Sequence, residues 1–252
     1  MFESYSEDGD LTLVTGIKRR AKLVYLILFG RIAIRFAFRR FKEMDHSLSS
    51  LSDAVSLSLE FNHLGISIAP MQIHEEIQQF LEIAKEIEPR TIVEIGTARG
   101  GTLFLLAKIA DKKARLISID LPGGLFGGGY ERWRIPLIQS FARDSQEIVL
   151  MRNDSHEEET VRKLKDILEG GMIVLLFIDG DHRYEGVRKD FEMYSPLVRK
   201  GGIIAFHDIC PGPPEYVGGV PSFWKETMGK YRNMPIIKDQ SQGGRGIGIL
   251  FL

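Results

Sequence analysis

Five short aliphatic runs recur along this chain: TIVEIG (91–96), RLISID (115–120), EIVLMR (147–152), IVLLFID (173–179) and GIIAFHD (202–208). Each is too short for a buried helix and too uniformly apolar for a strand with one wet face. Such runs read as strands covered on both sides. The gaps hold helical stretches: TLFLLAKIA after the first run, 156–169 before the fourth and 184–199 before the fifth. The 156–169 stretch begins acidic, turns basic and stops at Gly170-Gly171, as the helix dipole favours. Pro196 should disturb the last turn of 184–199. Strands alternating with helices imply an α/β chain: a Rossmann-like, doubly wound, mostly parallel sheet with helices on both faces. Such sheets bind ligands beyond the carboxyl ends of their strands. The chemistry of this chain is therefore expected at its strand ends.

The first ~65 residues differ in character, and two regions are expected. Residues 1–65 form an N-terminal helical extension and linker, and residues 66–252 form the α/β domain. Within the extension Arg31, Arg35, Arg39 and Lys42 recur at helical spacing, with Ile32, Ile34, Phe36, Phe38 and Phe41 between them. That is a basic amphipathic helix, favoured as packing on its own domain or on a second subunit over lying on a membrane surface. The stretch 22–42 is interrupted by Arg31 and Arg35, so it does not read as a span. Nor does it read as a secretory signal, because an acidic head precedes it and no small-residue cleavage site follows. HSLSSLSDAVSLSLE then reads as a linker or short helix. With 33 Lys and Arg against 34 Asp and Glu, no global charge draws the chain to nucleic acid. A single cysteine, Cys210, rules out an internal disulfide framework and a cysteine-based zinc cluster. It suits a reducing, cytoplasmic setting, at the membrane periphery if the basic helix lies there.

At the strand ends, VEIGTARGGT brings Gly96, Gly100 and Gly101 to a strand-to-helix turn. Glycines let the backbone turn sharply and let a ligand approach, while the helix start offers free N–H groups. Asp120 closes the second run, where a carboxylate can accept both hydroxyls of a ribose. Either feature alone is ordinary; their coincidence points to a nucleoside-bearing cofactor. Asn153, Asp154 and Ser155 follow the third run, with helix capping and an adenine contact from Asp154 as the two readings. The fourth and fifth runs end in IDGDH and FHD. If these strands are neighbours, Asp179, Asp181, His182, His207 and Asp208 face one crevice. Gathered carboxylates need a cation to offset them, and this donor set suits Mg²⁺, Mn²⁺ or Ca²⁺. Helix capping and pairing with Arg183 and Arg188 are the structural alternative. Between the second run and the next helix, a five-glycine loop carrying Phe126, Tyr130 and Trp133 has the composition of a lid.

Together these strand ends resemble the class I S-adenosylmethionine-dependent methyltransferases, over about residues 71–252. VEIGTARGG is similar to their first motif, which implies Glu94 and Gly96 near the methionine part of the cofactor. Gly100 falls in the same turn. Asp120 matches their ribose-binding acid and Asp154 their adenine-side position. FIDGDHRYEGVRKDFEMYSPLVRKGGIIAFHDI is similar to the corresponding segment of the metal-dependent O-methyltransferases, both catechol-type and macrolide-sugar-type. The resemblance implies metal ligands at Asp179 and at the pair His207-Asp208, and a general base at His182, an imidazole of near-neutral pKa. His207 departs from the pattern, which has an acid there. The implied reaction is methyl transfer from S-adenosylmethionine to a hydroxyl of a small molecule, a sugar or phenolic diol, assisted by Mg²⁺ or another divalent cation. Two rivals stand beside it. One is a Rossmann-type NAD-dependent oxidoreductase, since Gly96, Ala98 and Gly101 approximate a dinucleotide turn. The other is a cofactor-binding domain without catalysis.

Overall fold

The computed structural model describes residues 29–30, 32–122 and 129–252. Arg31, the basic run before residue 29 and most of the glycine-rich loop with Phe126 lie outside the described residues.

The chain opens with α1 (32–46) and α2 (Leu51–Glu60), then a two-residue ladder, β1 (Asn62–His63) with β2 (Ile66–Ser67). HSLSSLSDAVSLSLE thus holds a short non-helical link over 47–50 and the short helix α2. Ser50 and Asp53 form a reciprocal capping box that fixes where α2 begins. Then follow α3 (His74–Lys85), β3 (Thr91–Ile95), α4 (Gly101–Ile109), β4 (Arg115–Ile119), α5 (Ile135–Gln139), β5 (Glu147–Met151), α6 (Glu158–Leu168), β6 (Ile173–Ile178) and α7 (Tyr184–Tyr194). The expected helix over 184–199 ends early. Pro196 sits in a 3₁₀ turn over Ser195–Leu197, and Arg199 already belongs to β7 (Val198–His207). Last come α8 (Pro214–Val217), α9 (Val220–Met228), β8 (Arg232–Ile236) and β9 (Ile247–Phe251).

Seven strands form one sheet in the order β5-β4-β3-β6-β7-β9-β8. β5, β4, β3, β6 and β7 are mutually parallel, whereas β9 runs antiparallel between β7 and β8. The expected mostly parallel, doubly wound sheet is therefore present. The order reverses between β3 and β6, so a crevice opens beyond their carboxyl ends. Dinucleotide folds continue with a sixth parallel strand; the antiparallel insertion of β9 departs from that arrangement and from the oxidoreductase reading.

The continuous apolar runs arise because alternate residues feed different layers. On β6, Leu175 and Phe177 join the core shared with α1 to α5, while Leu176 and Ile178 join the core under α6, α7 and α9. The N-terminal helices are part of the first core. Phe41 of α1 is fully buried and meets Phe61, Phe104 and Phe141 at ring distances of 5.1–5.3 Å. Lys108 of α4 pairs with Asp45, and Lys42 Nζ donates to Ser140 O at 3.0 Å. One face of the basic helix thus packs on its own domain. Among the described residues no helix is long and apolar enough to cross a membrane.

Candidate active site

The glycine turn after β3 is shaped by backbone sterics. Gly96 and Gly100 both have positive φ, 89° and 91°, and a Cβ on Gly96 would lie 2.0 Å from the carbonyl oxygen of Asp179. Asp120, at the end of β4, fastens this turn. Its Oδ2 accepts from Thr97 N (3.0 Å), Ala98 N (2.7 Å) and Gly129 N (3.1 Å). Burial raises the Asp120 carboxyl above its ordinary range, and the backbone donors oppose that rise. Oδ2 is thus committed to the protein, and the residue also lines the cavity. If Asp120 also takes the ribose role expected of it, Asp120→Ala should lose the turn's fastening and that contact together. Binding of S-adenosylhomocysteine is expected to weaken by about 1.5–3 kcal/mol, the range for a hydrogen bond to a charged group. Unchanged affinity by calorimetry, in a folded variant, would remove Asp120 from the site.

Glu94 sits deeper than the sequence implies. It is fully buried on β3, beside Ser118 and Phe177 in register, and it does not line the cavity. Among the described residues neither of its carboxylate oxygens has a hydrogen-bond partner. The nearby Thr97 hydroxyl favours the charged form, but its Oγ1 is engaged with Ser118 Oγ at 2.6 Å. Burial therefore dominates and pushes the carboxyl up to about 8. Folding then costs nothing at this group below its ordinary value of 4.5, and the cost grows as pH rises toward about 8. Glu94→Gln should gain on the parent protein through that window, by up to about 1.4 kcal/mol per pH unit. Urea midpoints measured near either end test this, and parallel curves for the two proteins would refute it.

Beyond β6 and β7 the side chains converge. Ligand atoms of Asp179, His182 and Asp208 all lie within 4.8 Å of one another. His182 Nε2 is 3.4 Å from Asp179 Oδ1, and its Nδ1 is 3.4 Å from Asp208 Oδ2 and 2.6 Å from the Tyr216 carbonyl. The short contact to a carbonyl requires Nδ1 to carry the proton there. Asp208 holds a left-handed backbone, φ 61°, and its Oδ1 accepts from Arg245 N at 3.0 Å. His207 Nδ1 lies 3.2 Å from Asp179 Oδ1 and 3.4 Å from Asp208 Oδ2, while its Nε2 is buried without a partner among the described residues. His207 was expected as a third ligand; the three converging ligand atoms are those of Asp179, His182 and Asp208, while His207, nearly fully buried, contacts both acids through Nδ1 at the cavity wall.

The charges explain the arrangement. Burial alone would raise the Asp179 carboxyl, yet His207 and His182 outweigh it and hold it below the ordinary carboxylate range. Burial opposes charge on both imidazoles as well, but the two aspartates outweigh it, raising His182 to about 9 and His207 to about 10. In place of the near-neutral imidazole expected at position 182, Asp179, the Tyr216 carbonyl and Asp208 favour the protonated form. Two acids with nitrogen and oxygen donors converging on a cavity fit a hard divalent cation, which would take over the counter-charge.

The remaining candidates divide. Gly96, Asp120, Asp154, Asp179, His182, His207 and Asp208 all border one cavity of about 860 Å³; Glu94 and Gly100 lie outside its lining. Asp154 spends Oδ1 on His156 N at 2.8 Å in a local turn. Asp181 accepts from Arg183 N at 2.9 Å, again a turn contact. Sequence reasoning missed Gln72, whose Nε2 donates to Asp179 Oδ2 at 3.1 Å while its Oε1 accepts from Thr102 Oγ1 at 3.0 Å. It also missed Arg245, from the loop before β9, and Tyr216, from the short helix α8, neither of which carries a strand-end signal.

The strand order is that of the Rossmann-like methyltransferase fold. Residues 93–209 match the family model described as Methyltransferase domain. An uncharacterized protein of Acanthamoeba polyphaga mimivirus is 36% identical over 137 residues, covering 54% of this chain and 59% of that protein. An uncharacterized protein of Sinorhizobium fredii is 27% identical over 148 residues, covering 56% of this chain and 15% of that protein. The chain thus spans well under two thirds of these relatives. Among solved structures, the O-methyltransferase TomG of Streptomyces achromogenes, in complex with S-adenosylmethionine, aligns with a TM-score of 0.54 at 16% identity, over 84% of this chain and 94% of that one. An O-methyltransferase of Bacillus cereus in complex with S-adenosylhomocysteine aligns at 0.53 and 15%, over 87% of this chain and 100% of that one. These likenesses establish the fold.

Proposed function

We propose that this chain transfers a methyl group from S-adenosylmethionine to a hydroxyl of a small molecule, with a divalent cation held by Asp179 and Asp208. The observation that carries the reading is the convergence of Asp179, His182 and Asp208 on the cavity that Gly96 and Asp120 also line. At about 860 Å³ that cavity has room for a nucleoside cofactor and a small acceptor together. An oxidoreductase would leave the acid cluster without a purpose. One protein of similar fold, CalS11, is a TDP-rhamnose 3'-O-methyltransferase of calicheamicin biosynthesis. A vicinal diol, on a sugar or a phenolic ring, is the acceptor class such a site would hold best.

S-adenosylmethionine supplies an electrophilic methyl, and a divalent cation supplies a Lewis-acid contact that makes an acceptor hydroxyl more acidic. The chain's own residues do the rest. Asp120 holds the ribose and, through Thr97 N and Ala98 N, the shape of the turn. Gln72 and Arg245 N each occupy one oxygen of Asp179 and Asp208 and so orient the opposite oxygens. His182, anchored through Nδ1 to the Tyr216 carbonyl, presents Nε2 to take the acceptor proton as the oxygen–carbon bond forms and the sulfur–methyl bond breaks, leaving S-adenosylhomocysteine. Positioning of the two reactants contributes much of the acceleration.

Equilibrium binding of S-adenosylhomocysteine against NAD tests the cofactor, and methyl transfer to diol acceptors with Mg²⁺ or EDTA tests the reaction. Selective S-adenosylhomocysteine binding with EDTA-sensitive turnover is expected. Preference for NAD would overturn the reading. Tight S-adenosylhomocysteine binding without turnover on any acceptor would favour a non-catalytic cofactor-binding domain.

A further inference from the structure

The outer face of α1 is unlike the rest of the surface. Its inner face, Ala33, Ile34, Ala37 and Phe41, is buried in the core. On the outer face Ile32 and Phe36 are each 57% exposed, and their four-residue spacing stacks them side by side. Arg35, Arg39 and Arg40 flank this apolar pair and are themselves exposed. Glu43 pairs with Arg39 and Arg40 at 3.4 Å at the end of this face, while in sequence residues 11–42 contain nine Lys and Arg and no acid, which leaves the rest of the chain at net −10.

We propose that this face docks α1 parallel to an anionic lipid surface. Ile32 and Phe36 would enter the boundary between headgroups and acyl chains, with the arginines on lipid phosphates. An apolar centre flanked by arginines is the pattern of an interfacial helix, which needs no span. Charge argues against a second copy as the occupant. A two-fold dimer sets the same patch against itself, which would bring Arg35, Arg39 and Arg40 against their own copies. An anionic bilayer instead attracts the arginines of this face, where lipid phosphates would compete with Glu43 for Arg39 and Arg40. The inference is independent of the methyl-transfer reading.

The test is co-sedimentation of the full chain with phosphatidylcholine vesicles, with and without phosphatidylserine, at low and high salt. Binding is expected only to the anionic vesicles and should fall as salt rises. Arg35→Gln, Arg39→Gln and Arg40→Gln should each weaken it about fivefold. The double variant Ile32→Ser, Phe36→Ser should weaken it by about tenfold or more. Circular dichroism and S-adenosylhomocysteine binding should be unchanged in all four variants, since these side chains are exposed and outside the site. No binding at low salt, equal binding to neutral vesicles, or variants that bind like the parent would each overturn the proposal. So would a dimer in sedimentation velocity that these same substitutions dissociate, which would make a second copy the occupant.

Discussion

Asp179→Asn is expected to abolish the response of methyl transfer to divalent cations while leaving S-adenosylhomocysteine affinity largely intact. Removing one of two acidic ligands should weaken Mg²⁺ binding by more than the roughly 10–100-fold that loss of an outer-shell partner costs. Asparagine keeps an acceptor for the Gln72 amide, so the local frame survives and the charge alone is tested. A second readout needs no activity. Asp179 is the leading cause of the raised pKa of His207 and, after burial is overcome, of His182. In the variant both imidazoles should titrate closer to the ordinary value of 6.5, which histidine NMR in the presence of EDTA can follow. An unaltered Mg²⁺ response together with unaltered histidine titrations would remove Asp179 from the centre of the cluster.

What could be read from the sequence follows from range. Strands β3 to β7 were legible because burial on both faces writes an unbroken apolar run, and the parallel order followed from the helices between them. β8 and β9 were not seen. β8 is mostly exposed at an edge and contains Pro235, and β9 follows a loop with no helix to announce a crossover. Strand-end position brought Asp120, Asp179, His182 and Asp208 together on paper, because parallel neighbours must end on the same side. Gln72 and Arg245 were illegible for the same reason in reverse. Gln72 precedes the first strand of the large sheet, and Arg245 comes from a loop 37 residues beyond Asp208. Nor does a sequence display desolvation. The acid at 94 looked like a ligand-facing group, but its strand register turns it into the core, where it is held neutral up to about pH 8.

His182→Ala is the substitution with the largest expected effect on turnover, and the metal-free electrostatics explain why its test must control pH and cation together. Asp179, the Tyr216 carbonyl and Asp208 together raise the imidazole to about 9, so that it holds its proton at neutral pH. A divalent cation between Asp179 and Asp208 would offset the charges that hold that proton and return the pKa toward the ordinary range. Histidine NMR should therefore show one resonance titrating near 9 in EDTA and moving downward with Mg²⁺, with protons released as the cation binds. Under saturating Mg²⁺ the parent rate should rise with pH through that lowered pKa and then level. His182→Ala should lose about 10²–10⁴-fold in kcat, the usual worth of general acid–base catalysis, and lose the pH dependence with it. Mg²⁺ and S-adenosylhomocysteine affinities should change little, because Asp179 and Asp208 remain. That split is what separates a base from a ligand. If His182→Ala weakens Mg²⁺ binding as much as Asp179→Asn does, the imidazole is a ligand and the proton must go elsewhere. If turnover survives in full, His182 is only the cap of a turn, and the left-handed Asp208 and the buried His207 must be explained without a reaction.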